Sequence, residues 1–406
     1  MTVQLGIPVL RLARNNNQRP APVSRPAGLP STLLDRFGRH ATDMRLSVTD
    51  KCNLRCTYCM PADGMPWLPK EAVMTAGEIE RIVGIGVERL GVRELRITGG
   101  EPLVRPDLVE VIATLRARHP KLPISMTTNG VGLDKKAEAL EEAGLTRVNV
   151  SLDSLHEEVF TQLTRRPFLG KVLAGVEAAR AAGLGPVKIN AVLMRGVNDQ
   201  EAPELLEWAL QRDFELRFIE QMPLDAERGW TEHGMITAPE IHALLSADFV
   251  LERDRRQRDG APAERFEVRR RHVATGEASG TVLGTVGIIA SVSEPFCSDC
   301  RRTRVTAEGK IMRIRPMLVR YFAAACAAAG VEEEHLDVPD GTTLDGLIAV
   351  TLTVDRGIAG AAGTALSLAE VITRSTFLRN EVALRDRGAA LSAGDVVDVL
   401  PPFAGG

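Results

Sequence analysis

Apolar and polar positions alternate with a period of two across Met44-Arg45-Leu46-Ser47-Val48-Thr49, which predicts a strand with one buried face. The period then lengthens. Thr75-Ala76-Gly77-Glu78 is a capping box, its hydroxyl and carboxylate each answering a backbone amide, and Ile79, Ile82, Val83, Ile85 and Val87 supply the stripe of a helix reaching about Leu90. Strands are predicted again at Glu94-Leu95-Arg96-Ile97, Ile124-Ser125-Met126-Thr127-Thr128, 147–152, 187–192 and 215–219, with helices over 134–143, 155–163, 169–182 and 201–211 between them. Such alternation implies parallel βα units with right-handed crossovers, an α/β fold. About six units fit before residue 225, too few for a closed eight-unit barrel.

Beyond that point the rhythm changes. Residues 252–272 are dense in charge, with Arg253, Arg255, Arg256, Arg258 and Arg269-Arg270-Arg271, and are expected to form a solvated loop. Thr281 to Ile289 alternates around Gly284 and Gly287. Residues 317–400 give a strand, an Ala-rich helix, a second helix over Thr343 to Thr353, and strands near 381–384 and 396–400, the order of a small α+β grasp around one helix. Residues 1–31, with Asn15-Asn16-Asn17 and the prolines between Pro20 and Pro30, hold little to pack and are expected to be a mobile leader, order beginning near Leu33.

At 406 residues and 44% hydrophobic, the chain can bury a sizeable core in two domains. A net charge of −3 argues against nonspecific nucleic-acid binding. No apolar run approaches the ~18–20 residues that span a bilayer, and Arg11, Arg14 and Arg19 among Asn and Pro do not make a secretory signal, so a cytoplasmic protein is expected. In that compartment the six cysteines are read as metal ligands rather than disulfides.

The cysteines then carry the chemistry. Cys52-Asn53-Leu54-Arg55-Cys56-Thr57-Tyr58-Cys59 places three thiols at spacings of three and two residues, right after the first strand. Three cysteines can hold a cubane iron–sulfur cluster with one iron left open, whereas a closed zinc site needs a fourth ligand, and no His or Cys follows within the next dozen residues. The second strand ends in Gly99-Gly100-Glu101-Pro102, where glycines admit close backbone approach and a carboxylate can accept hydrogen bonds from a cationic amine. Cys297 and Cys300 form a Cys-x2-Cys pair, half a zinc site or a redox pair on its own. Cys326 stands in a run of alanines and reads as a small buried helix residue. The chain stops at Gly405-Gly406, a tail able to thread a narrow catalytic tunnel and present its carboxylate for acyl-adenylation.

The three-cysteine loop with its aromatic before the last cysteine, followed by Thr98-Gly99-Gly100-Glu101-Pro102, resembles the radical S-adenosylmethionine enzymes. From Asp35 through Arg304 the chain resembles the GTP 3′,8-cyclase family of molybdenum cofactor biosynthesis, and from about Pro316 to Gly406 the ubiquitin-like sulfur-carrier small subunit of molybdopterin synthase. The resemblance implies a partial (βα)6 barrel at about 40–225, an auxiliary-cluster region at about 226–315 closing a cyclase domain of 32–315, and a β-grasp carrier of 316–406. It implies a lyase that uses a 5′-deoxyadenosyl radical to convert GTP to (8S)-3′,8-cyclo-7,8-dihydroguanosine 5′-triphosphate, with Cys52, Cys56 and Cys59 holding a [4Fe-4S] cluster. By the same resemblance Tyr58, Gly100, Glu101, Ser151 and Met222 bind S-adenosylmethionine, and Arg45, Arg96, Thr127, Lys188, Arg302, Thr303 and Arg304 bind GTP. The implied partners are an electron donor, the cyclic pyranopterin monophosphate synthase acting next, an adenylating and sulfurating enzyme that makes a thiocarboxylate at Gly406, and the molybdopterin synthase large subunit.

One position departs from this pattern. Cyclases of the family complete a second [4Fe-4S] cluster with a cysteine fourteen positions after the pair, and here Ile314 stands in that place, so the second cluster binds through Cys297 and Cys300 alone, borrows a ligand from elsewhere such as Cys326, or fails to assemble. Two other readings follow: a radical S-adenosylmethionine enzyme acting on a different substrate, or a sulfur carrier attached to a cyclase domain that no longer catalyses.

Overall fold

Six parallel strands organise the first half of the chain: β1 (Asp43–Ser47), β2 (Glu94–Thr98), β3 (Ile124–Thr128), β4 (Arg147–Ser151), β5 (Lys188–Leu193) and β6 (Glu215–Glu220). The computed structural model describes residues 32–33, 40–222, 234–256, 261–272, 277–294, 300–312, 315–338, 342–354, 367–389, 391 and 395–401. Between the strands run α1 (Ala76–Arg89), α2 (Leu108–Arg118), α3 (Ala137–Glu142), α4 (Glu157–Thr164), α5 (Leu169–Ala181) and α6 (Ala202–Leu210). The helix α7 (Ala238–Leu245) and strands β7 (Phe249–Arg253), β8 (Glu264–Arg271), β9 (Ala278–Ile289), β10 (Arg302–Val305) and β11 (Ile311–Met312) follow. Among the described residues these strands form one eleven-stranded sheet ordered β11-β10-β1-β2-β3-β4-β5-β6-β9-β8-β7. Both β10 and β9 join it parallel, β10 beside β1 and β9 beside β6.

Alternation divides each strand between two faces. Met44, Leu46, Leu95, Ile97, Val148, Val150, Ile189, Ala191, Leu216 and Phe218 are buried in one continuous core with the helices. The opposite face carries Arg45, Arg96, Thr127, Arg147, Asn149, Ser151, Lys188, Asn190 and Arg217, a polar wall that a packed sheet tolerates only where it lines a site.

The capping box at α1 is present, Glu78 N donating to Thr75 Oγ1 at 3.3 Å and Thr75 N to Glu78 Oε2 at 2.8 Å. Ile79 and Val83 are fully buried, but Ile85 is 40% exposed, a correction to the stripe. Six residues from Ile79, it lies off the helix face that meets the sheet, and Gly86 takes the inward place because a Cβ there would stand 2.6 Å from Met44 Cε.

The expected charged loop is also corrected, since 249–253 and 264–271 are antiparallel strands, β7 at the edge of the sheet and β8 beside it. Val268 of β8 is fully buried and Phe266 packs against the core, while Arg265, Arg269 and Glu267 alternate outward, so the charge density marks a guarded sheet edge rather than a loop.

A second core, built on Val319, Tyr321, Leu344, Leu347, Phe377, Val397 and Val399, belongs to the C-terminal part. Here β12 (Arg315–Tyr321), α8 (Ala324–Ala329), β13 (Glu333–Val338), α9 (Leu344–Thr353), α10 (Leu368–Arg374), β14 (Thr376–Arg379), β15 (Val382–Ala383) and β16 (Val396–Leu400) give a sheet ordered β13-β12-β16-β14-β15. Its central pair β12 and β16 is parallel, locked by Arg320 donating to both oxygens of Asp398 at 2.6 and 2.9 Å. This is the β-grasp anticipated from the sequence. Among the described residues no helix is long and apolar enough to cross a membrane.

Candidate active site

The loops after β1 and β2 are zipped together. Gly100 N donates to Thr49 O at 2.9 Å and Glu101 N to Lys51 O at 2.8 Å. A Cβ on Gly99 (φ +150°) would lie 2.3 Å from Thr49 O, and one on Gly100 would lie 2.4 Å from the carbonyl oxygens of Asp50 and Lys51. Both glycines are therefore required by the chain's own packing, a role the sequence reading had given to a ligand. Glu101 is corrected in the same way. Fully buried, its carboxylate accepts from Leu103 N at 2.9 Å, Thr128 Oγ1 at 2.7 Å and Asn129 N at 2.6 Å, so it braces its own loop against the end of β3 instead of standing open to an amine.

The cysteine loop is clamped from its other side. Arg55 N and Thr57 N donate to Thr164 O and Leu163 O, and Arg165 Nη1 reaches Arg55 O at 3.3 Å and Met60 O at 3.1 Å. The Arg55 guanidinium turns inward to Cys52 O at 2.7 Å and Leu54 O at 2.8 Å and stacks over Trp67. Cys52, Cys56 and Cys59 are all free thiols, Cys59 the most exposed, and desolvation pushes all three up, Cys56 furthest with Asp153 adding its charge. Thiolates thus become favourable only against positive charge, the condition a metal centre supplies. Among the described residues no three His, Cys, Asp or Glu side chains converge as they would on a single ion. Three cysteines without a fourth ligand suit a cluster, which takes one thiolate on each of three irons, better than a closed zinc site, which needs four ligands.

Tyr58, between the second and third cysteines, donates its hydroxyl to Asp153 Oδ2 at 2.6 Å. Asp153 Oδ1 accepts from Val192 N at 2.8 Å, and Asn198 Nδ2 donates to Asp153 O at 2.8 Å, tying the loop to the ends of β4 and β5. Burial raises the Asp153 carboxyl to about 6 against the pull of these donors. Sequence reading missed Asp153; an acidic residue two positions past the end of a strand, beside the expected Ser151, was the available signal.

At the other end of the polar face lies a cavity of about 180 Å³ lined by Arg45, Arg96, Arg147, Lys188, Arg217 and Arg302 with Asp43 and Glu94. Behind the lining, Glu215 of β6 pairs Lys188 at 2.9 Å and Arg217 at 2.5 Å, so six cationic side chains are set against three carboxylates. Arg147 pairs Glu94, which also lies 3.7 Å from Arg96. Burial and the charges of Arg302, Arg96 and Arg304 pull Arg45 well down, and burial with Arg217 brings Lys188 to about 8. Burial opposes ionisation of Glu215, yet Arg217 and Lys188 hold its carboxyl at about 2. Such crowding of like charge is relieved by a polyanion, and arginine suits bidentate phosphate contact.

The residues expected from sequence divide accordingly. Arg45, Arg96, Lys188 and Arg302 line the cavity, and Thr127 sits on the same face in register with Asn149. Arg304 pairs in register with Arg45. Thr303 is buried beside Met44 on the opposite face, a correction that leaves it only backbone to offer, because alternation in β10 turns its side chain away. Arg147 and Arg217 were not singled out, although Arg147 begins a strand whose other alternate positions, Asn149 and Ser151, are polar, and Arg217 stands two residues after Glu215 on the same face of β6. Ser151 ends β4 on the polar face, and Met222, 42% exposed, follows β6. Cys300 is buried with Arg302 Nε at 3.3 Å from its sulfur. Cys297, Ile314, Gly405 and Gly406 lie outside the described residues, as do 1–31. Cys326 sits in α8 packed against the C-terminal core, which accounts for it structurally.

Three family models match in succession: the Radical SAM superfamily over 46–209, Molybdenum Cofactor Synthesis C over 214–313 and the ThiS family over 319–406. A protein of Paenarthrobacter nicotinovorans named GTP 3′,8-cyclase is 75% identical over 291 residues, covering 72% of this chain and 82% of the relative. Another of that name from Streptomyces coelicolor is 53% identical over 280 residues, 69% of this chain and 79% of the relative. A third, from Rhodococcus opacus, is 51% identical over 310 residues, 76% and 83%. The chain is thus a member of the GTP 3′,8-cyclase family that carries a ThiS-family domain behind its cyclase region.

Proposed function

We propose that this protein converts GTP to its 3′,8-cyclised nucleotide in molybdenum cofactor biosynthesis and carries, in residues 316–406, a sulfur carrier whose terminal glycine is adenylated and thiocarboxylated. The observation that carries the reading is the single polar face running from the three-thiol loop to the six-cation cavity. Cys52, Cys56 and Cys59 would hold a [4Fe-4S] cluster, which with S-adenosylmethionine supplies a 5′-deoxyadenosyl radical to take hydrogen from the ribose C3′ of GTP. Tyr58, fixed by Asp153, orients the cysteine loop, and Gly100, Ser151 and Met222 border the cosubstrate. Arg45, Arg96, Lys188, Arg217, Arg302 and Arg304 take the triphosphate and so aim the ribose at the radical. At the second cluster Cys297 and Cys300 supply two thiolates, and Ile314 has no donor atom to add.

Anaerobic assay of GTP products together with mass spectrometry of the C-terminus tests both halves. Cyclised nucleotide and a thiocarboxylate at Gly406 are expected. A thiocarboxylate with no nucleotide product would reduce the protein to a carrier, and 5′-deoxyadenosine released with another substrate would change the substrate.

A further inference from the structure

Asn129, just past the end of β3, turns its side chain toward the cysteine loop. Its Nδ2 donates to Asn53 Oδ1 at 2.7 Å and lies 3.8 Å from Cys52 Sγ, within donating reach of a sulfur. The other end of the amide fixes this orientation, because Oδ1 accepts from Val131 N at 3.0 Å. An amide nitrogen carries two hydrogens, so with one on Asn53 the second is left for the sulfur.

The backbone beneath it is held as firmly. Asn129 N donates to Glu101 Oε2 at 2.6 Å and Gly130 N to Thr128 Oγ1 at 3.0 Å. The amide is thus aimed at Cys52 by groups that are themselves bonded, as outer partners of metal ligands commonly are.

A neutral thiol gains little from such a contact, since its sulfur is a weak acceptor. A thiolate gains more, because hydrogen bonds to charged acceptors are about twice as strong as neutral ones. The electron that splits S-adenosylmethionine first passes from the external donor into the cluster and raises its negative charge by one. A donor on one of the thiolates stabilises that reduced state more than the oxidised one.

We propose that Asn129 raises the reduction potential of the cluster held by Cys52, Cys56 and Cys59 by donating a hydrogen bond to the Cys52 thiolate. The proposal rests on the reading of these three cysteines as cluster ligands. Asn129 acts through Cys52, which makes it a positioning residue. The Glu101 brace acquires a chemical consequence with it, since that carboxylate holds the backbone from which the amide hangs.

The full chain, N129L and N129S are reconstituted anaerobically and titrated with dithionite and redox mediators without S-adenosylmethionine, the reduced cluster being read by electron paramagnetic resonance. The signal that changes when S-adenosylmethionine is then added identifies the cluster of the three-cysteine loop. Leucine removes the donor at similar volume, and serine keeps a hydroxyl able to serve Val131 N but stops an atom short of the sulfur. Both variants should hold normal iron, and at a given potential their ratio of reduced to oxidised cluster should fall about tenfold, which for one electron is a shift of about 59 mV to more negative values. A ratio within about twofold of the unmodified protein, in a variant with normal iron, would overturn the proposal. Loss of iron from both variants would also overturn it, as a purely structural role predicts; where only one variant holds iron, its potential decides. An unmodified protein that takes up no iron would overturn the proposed function and this proposal with it, whereas an unmoved potential with normal iron overturns only the role of Asn129.

Discussion

Replacing Glu101 by glutamine or alanine separates its bracing role from an open ligand contact. In E101A, Leu103 N, Asn129 N and the Thr128 hydroxyl all lose their acceptor inside the protein. At about 1–3 kcal/mol for each buried donor, discounted because the three share one network, the loss comes to about 3–6 kcal/mol. E101Q keeps one oxygen for Leu103 N and Thr128 but sets an amide N–H against Asn129 N–H, costing about 2–3 kcal/mol. Urea unfolding of cluster-free protein under argon, followed by tryptophan fluorescence, reads this directly, since Trp67, Trp208 and Trp230 all precede the C-terminal core. With a slope of about 3 kcal/mol per molar, the E101Q midpoint should fall by about 0.8 M and that of E101A by more than about 1 M. A midpoint for E101Q within about 0.2 M of the unmodified protein, combined with lost binding of S-adenosylmethionine, would refute the brace and restore the amine contact.

Three further outcomes follow from the geometry. G100A would force a Cβ onto the carbonyls of Asp50 and Lys51, 2.4 Å away, so the displaced cysteine loop should retain less than about half of the normal iron after reconstitution, measured by iron quantitation. Lys188, brought to about 8, must be charged to hold phosphate, so kcat/KM for GTP should fall as pH rises through 8, and K188R, whose guanidinium stays charged, should lose that limb of the profile. C326A should leave iron content and GTP turnover unchanged, because Cys326 packs against the carrier core; a fall in iron would make it a cluster ligand.

The barrel was legible because its signal is periodic. Ile124–Thr128 is a strand in both sequence and structure, and the Thr75 capping box appears as written, since a two-residue period and a local side-chain bond are properties of the chain alone. The charged segment at 264–271 was misread because composition cannot tell a solvated loop from a charged strand lying next to the edge of a sheet. At the site, the cysteines announce themselves by spacing, whereas Asp153, Arg147 and Arg217 acquire meaning only when the fold sets them beside residues far away in sequence. Thr303 shows the reverse: adjacent to two arginines in sequence, it is carried to the other face by the alternation of the strand they share. Glu101 belongs with it, since nothing in a Gly-Gly-Glu-Pro string reveals that Thr128 and Asn129, from the end of the next strand, join Leu103 N in converging on the carboxylate.

The most direct test is a single-turnover reaction of the anaerobically reconstituted protein with S-adenosylmethionine, a strong reductant and GTP, with 5′-deoxyadenosine and the cyclised nucleotide quantified together. Equal amounts of the two products are predicted, both abolished when Cys52, Cys56 or Cys59 is replaced by alanine. Zinc in place of iron in that loop, or S-adenosylmethionine recovered intact after reduction in the presence of GTP, would contradict the reading of these three thiols as the origin of the chemistry.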